Sequence, residues 1–210
     1  MNPRLNDTLD PDHPVRKYPH TTTNSGVNVY SPDQFKACEV RMSDILDGIS
    51  KICRFNGQVS TFYSVAEHSV LVSRIAELLE DAEAIIPALF HDAHEAYSGD
   101  IPTPHKLMVP GLLGFECGYE DRVREALRLP VPRDPVWARV ARYDTMILHR
   151  ELRTFRAPEL LPRWYDPEME RAVPTAIQPV GFEWREARAM FRARMHDLGW
   201  GLGGKYLGSA

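Results

Sequence analysis

Hydrophobic residues recur along this chain at helical spacing far more often than at strand spacing. In DILDGISKICRF, the residues Ile45, Leu46, Ile49, Ile52 and Cys53 fall on one stripe of a predicted helix, with Asn56-Gly57 as its stop signal. In SVAEHSVLVSRIAELLE, Ser64 followed three residues later by Glu67 reads as a capping box, and Val65, Leu71, Val72, Ile75 and Leu79 supply a core face. A further helix is predicted from near Asp81 through AEAIIPALFHDAHEAY to Gly99, kinked or broken around Pro87. FECGYEDRVREALRL is amphipathic, Asp134-Pro135 is an N-cap and first helical residue opening VWARVARYDTMILHRELRTF, and FEWREARAMFRARMHDLG forms a last helix closed by Gly199. Strand signal is confined to GVNVYSP, between Gly26 and the Ser31-Pro32 turn. Residues 1–24 hold four prolines and no period, and read as an arm ahead of a single domain over 25–210. The expected class is all-α, a helical bundle with one small N-terminal β-hairpin.

Composition narrows the function classes. At 210 residues and 43% hydrophobic, the chain can bury one substantial core. A net charge of −4 argues against wrapping a nucleic-acid polymer or an anionic membrane, even though RAMFRARM is basic on part of its surface. Any anionic ligand must therefore meet local cations. The three cysteines, Cys38, Cys53 and Cys117, are scattered, odd in number and without a C-x-x-C pair, which argues against both a disulfide framework and a thiolate zinc site and fits a reducing compartment. With a polar start and no long apolar run, a cytoplasmic location without a membrane partner is expected.

The chemistry concentrates in FHDAHEAYSGDIPTPHK, residues 90–106. On a helix, His91 and Glu95 are four apart and Asp92 and Glu95 three apart, so all three can turn toward one cleft. Carboxylates clustered inside a core are tolerable only where a cation neutralises them. Two other helices offer more ligands: His68 in the second turn of its helix, and Asp144 set among Val140, Tyr143, Ile147 and Leu148. Singly, His68 also fits a satisfied core histidine and Asp144 a partner for a helical arginine. His94 could clasp a metal together with His91 at i, i+3, whereas His149 lies about 140° round the helix from Asp144 and faces elsewhere. Arg54, after an apolar run, and Lys106, after the IPTP turn, are the local cations that a phosphate would need.

The order H…HD…D resembles the HD-domain phosphohydrolase superfamily. Within it, ICRFNG, FYSVAEHSVLVS, FHDAHEAYSGDIPTPHK and RYDTMIL resemble the YfbR/YfdR-like 5′-deoxynucleotidases, which are related to phage dATP triphosphohydrolases. The likeness runs from about Val27 to the last helix. It implies an HD-domain bundle in which His68, His91, Asp92 and Asp144 hold one divalent metal per subunit. Two imidazoles and two carboxylates without a thiolate suit Mn, Co, Mg or Fe, with Zn also admissible. It further implies Glu95 and Asp100, from H-D-x-x-E…G-D-x-P, as the proton carriers, and His94 as a pocket-wall residue. Arg54 and Lys106 are the implied phosphate contacts, with Phe55 and Pro104 walling the base or sugar. The expectation is a homo-oligomeric hydrolase of a small-molecule nucleotide, releasing deoxynucleoside and phosphate from a dNMP or triphosphate from a dNTP, dATP among them. The alternatives are hydrolysis of a cyclic nucleotide or an alarmone such as ppGpp, or a nucleotide-binding regulator without turnover.

Overall fold

Apolar residues run right round the segment that follows Ser64, and a helix apolar on all sides has to sit in the middle of the fold. A computed structural model of the protein describes residues 20–129 and 134–200; the expected arm lies outside the described residues up to residue 19. The helices are α1 (Met42–Lys51), α2 (Val65–Leu78), α3 (Ile85–Phe90), α4 (Glu95–Ser98), α5 (Thr103–Met108), α6 (Leu112–Leu127), α7 (Asp134–Phe155), α8 (Pro167–Ala172) and α9 (Trp184–Asp197). Ahead of them β1 (Thr21–Thr22) pairs antiparallel with β2 (Asn28–Val29), Thr21 opposite Val29. The protein is thus helical with one small hairpin, as its periodicity implies. The strand is shorter than GVNVYSP suggests because Gly26 is the turn, at φ +84°.

Helix α2 packs against α1, α3, α7 and α9. Its Val65, Ala66 and Val70 share a core with Ile45, Leu46 and Ile49 of α1, Phe90 of α3 and Phe191 of α9. Its Leu71, Val72 and Ile75 share a second core with Val140, Met146 and Ile147 of α7. Each such fully buried aliphatic side chain contributes roughly 1.5–3 kcal/mol. Leu79, expected in this core, sits just past the helix end and is 45% exposed. Inside α2, Glu67, His68 and Ser73 are also buried, and each needs a partner. Ser64 Oγ accepts the Glu67 N–H, one half of the expected capping box. The other half is absent: the Glu67 carboxylate instead accepts the backbone N–H groups of Val180, Gly181 and Phe182, fastening the segment before α9 onto α2.

Two helix boundaries depart from the periodicity, and both departures shape the site. Ile52 and Cys53 lie beyond α1, because their backbone is taken by the approach to α2: Ile52 O accepts from Val65 N, Cys53 bridges Ser64, and Arg54 N donates to Tyr63 O. The long helix expected from Asp81 to Gly99 is instead α3 and α4. Pro87 stands in the first turn of α3, where its missing N–H is not needed. The break falls four residues later, from His91 to His94. There Ala93 N donates to Phe90 O, Glu95 N to Asp92 O and Tyr97 N to His94 O, a tighter i to i−3 winding.

Candidate metal centre

Two imidazoles face each other between α2 and the tight turn. His68 Nδ1 lies 2.6 Å from Glu151 Oε1, which also accepts the Tyr63 hydroxyl at 2.7 Å. His91 Nδ1 lies 2.7 Å from the Ala88 carbonyl oxygen. Carboxylate and carbonyl only accept, so both Nδ1 atoms carry a proton and each ring turns its Nε2 inward, as a lone pair wherever a cation takes the place of the second proton. The two Nε2 atoms are 3.3 Å apart. Asp92 Oδ2 stands 3.1 Å from the Nε2 of His91 and 3.6 Å from that of His68, while Asp144 Oδ1 is 3.1 Å from His68 Nε2.

Four acceptors converging on one place repel each other unless a cation lies among them. Donor atoms that each sit about 2.1 Å from one ion, at right angles, are about 3 Å apart, and the observed spacings match. His68, His91 and Asp92 thus form a group able to hold a metal ion, with Asp144 beside it. The same demand for positive charge shows in the titration. Burial and the Arg54 charge oppose protonation of His68, but Glu151 and Asp144 outweigh them and raise it to about 9. Burial likewise works against ionised Asp92, yet His91, His68 and Arg54 hold it well below the usual carboxylate range.

Sequence reasoning picked Asp144 as the buried acid of α7, and the structure revises this. The Asp144 side chain is 40% exposed, whereas that of Glu151 is fully buried. Glu151 was missed, although its signal was present: it lies seven residues after Asp144, two turns along the same face. Arg54 joins the two carboxylate groups, with Nη1 3.4 Å from Asp92 Oδ2 and Nε 3.4 Å from Glu151 Oε2. Its guanidinium carbon is 5.6 Å from the Phe55 ring centre, and that of Arg156 is 5.7 Å from the same ring. Phe55 and Asn56 are consecutive left-handed residues, at φ +58° and +52°, a strained arrangement of the kind that clusters at functional sites.

The remaining expected residues are distributed around this cluster. Glu95 is buried and groups with His94 and Glu116. Burial pushes its carboxyl well above the usual range, and the charges of Asp92 and Asp100 push the same way. Asp100 is raised by burial and by Asp92, with Arg54 opposing. Lys106 Nζ lies 2.6 Å from Glu116 Oε1, so a protein carboxylate is its nearest partner. Pro104 is exposed in the first turn of α5. His149 faces elsewhere, as its position round the helix implies: its Nδ1 accepts the Asp166 N–H. Among the described residues, no helix is long and apolar enough to cross a membrane.

No family model matches the chain. The uncharacterized protein YfdR of Escherichia coli is 37% identical over 126 residues, a stretch covering 60% of this chain and 66% of YfdR. The uncharacterized protein RCAP_rcc00048 of Rhodobacter capsulatus is 31% identical over 188 residues, covering 76% of this chain and 86% of that protein. Across that span the chain belongs to the same family as RCAP_rcc00048, with YfdR a further relative over a shorter stretch.

Proposed function

We propose that this chain is an HD-domain phosphohydrolase that hydrolyses deoxynucleotides to the deoxynucleoside and phosphate or triphosphate. The observation that carries the reading is the convergence of His68 Nε2, His91 Nε2, Asp92 Oδ2 and Asp144 Oδ1 on one place, with a guanidinium and two further carboxyls alongside. Those four residues would hold a divalent ion, whose chemistry when bound is Lewis-acid polarisation of a phosphoryl oxygen and acidification of water. Arg54, already poised between Asp92 and Glu151, orients the phosphate and offsets its charge. Glu95, kept protonated by its burial, delivers a proton to the leaving 5′ oxygen, while Asp100 accepts one from the attacking water. The Phe55 ring beside Arg54 forms a wall for the sugar or base.

The test is release of phosphate and triphosphate from each dNMP and dNTP with Mg²⁺, Mn²⁺ or Co²⁺. Asp144→Ala is expected to lose turnover together with tight metal. Glu95→Gln is expected to keep the ion bound through Asp144 while losing about 10²–10⁴ in rate. Absence of metal-dependent release from every deoxynucleotide would leave the cyclic-nucleotide, alarmone or regulatory readings.

A further inference from the structure

The turn that presents His91 also presents a second imidazole by the same device. His94 Nδ1 lies 3.2 Å from the His91 carbonyl oxygen, as His91 Nδ1 lies against that of Ala88, so the Nδ1 proton is taken by the turn and Nε2 is directed away from it. That Nε2 is buried, has no hydrogen-bond partner and lies 3.4 Å from Glu116 Oε1 on α6. Glu95 contributes a second buried carboxyl group, whose Oε2 also lacks a hydrogen-bond partner. Ligand atoms of all three residues fall within 4.8 Å of one another, and His94, Glu95 and Glu116 are 6%, 3% and 6% exposed. The His94 Nε2, the Glu116 carboxylate and the Glu95 carboxyl thus offer one nitrogen and two oxygen donors to a single dry enclosure, where a divalent ion would displace the Glu95 proton. One cation is already at the rim: the Lys106 ammonium, 2.6 Å from Glu116 Oε1.

We infer that His94, Glu95 and Glu116 form a second site for a divalent cation of the Mn²⁺ or Mg²⁺ type, which Lys106 contests by pairing with Glu116. A nitrogen and two carboxylates without sulfur favour such a cation over a thiolate-seeking one. The claim goes beyond the proposed hydrolysis, in which Glu95 serves as proton donor: an ion held here would take Glu95 out of that role. Both sites are built by one winding of the chain, with His91 and Asp92 serving the first and His94 and Glu95 the second.

The experiment counts Mn²⁺ bound to the purified full chain by calorimetric titration and by loss of the free-ion EPR signal, with no nucleotide present. Two ions are expected for the unaltered protein, the second weaker, and one for Glu116→Gln. Asp144→Ala should keep the ion held by Glu116. Lys106→Met, whose side chain lies at the rim, should bind the second ion several-fold more tightly, because its competitor is gone. One ion in the unaltered protein, two ions in Glu116→Gln, or unchanged affinity in Lys106→Met would each overturn the inference. Because metal counting needs no turnover, these results stand apart from failure of the nucleotide assay.

Discussion

Both nitrogens of His68 are committed: Nδ1 to Glu151 and Nε2 to the space shared with His91, Asp92 and Asp144. Glu151 therefore fixes which nitrogen bears the proton, and its charge makes Nε2 a better donor to a cation. Replacing Glu151 by Gln should lower metal affinity by roughly 10–100-fold although Glu151 itself is not among the converging ligand atoms, and a metal-binding titration checks this. An unchanged affinity would reduce Glu151 to packing. His91 and Asp92 stood out in the sequence as polar neighbours at the end of an apolar stretch, while their grouping with His68 came from the resemblance to HD-domain phosphohydrolases. Glu151 was illegible as a partner because a lone glutamate in RELRTF looks like any solvated helix residue. Its burial follows from Tyr63 and Arg54, residues about a hundred positions earlier.

At the scale of elements, close approaches set where the turn bearing Glu95 can sit. A Cβ on Gly48 of α1 would lie 2.8 Å from both Cα and Cβ of Ala96, so α1 and α4 touch backbone to backbone. Gly48→Ala should cost about 1–3 kcal/mol in denaturant unfolding and displace Glu95, lowering turnover even in the surviving folded protein. A second clamp joins the connection after α2 to α7: the Asp81 carboxylate takes Arg139 Nε at 2.6 Å and the Tyr143 hydroxyl at 2.8 Å. Arg139 is the main reason that Asp81 is held below its ordinary value of 3.8. With the folded value lowered, its stabilisation is complete above that value, declines as the pH falls below it, and is gone once the lower folded value is passed. Urea midpoints of Asp81→Asn and the unaltered protein should therefore differ near pH ~7 and converge toward pH ~2. Periodicity located α2 and α7 well because their apolar faces are long. It misplaced the end of α1 and joined α3 to α4, since backbone pairing of Cys53 with Ser64 and the tight winding at His91 are tertiary choices without a side-chain period.

Over the whole molecule, the central helix is held by groups from distant parts of the chain. Glu67 takes three consecutive backbone N–H groups from residues 180–182, and Glu67→Ala would strand all three in a part-buried segment. A loss of about 3 kcal/mol or more is expected, read from the chemical denaturation midpoint. Such a fastening cannot be foreseen from SVAEHSV, where Glu67 reads as a local cap; only the arrival of the segment before α9 redirects it. The separations are large: 83 residues between His68 and Glu151, and 113 between Glu67 and Val180. Contacts that far apart form late, because closing long loops costs entropy before any contact is made. During synthesis the first half of the chain emerges with His68, His91 and Asp92 but without the carboxylates of α7. For the proposed metal site this means that a growing chain would carry only part of the ligand set until α7 has emerged, so that the order of translation would delay ion capture until the surrounding helices can enclose it.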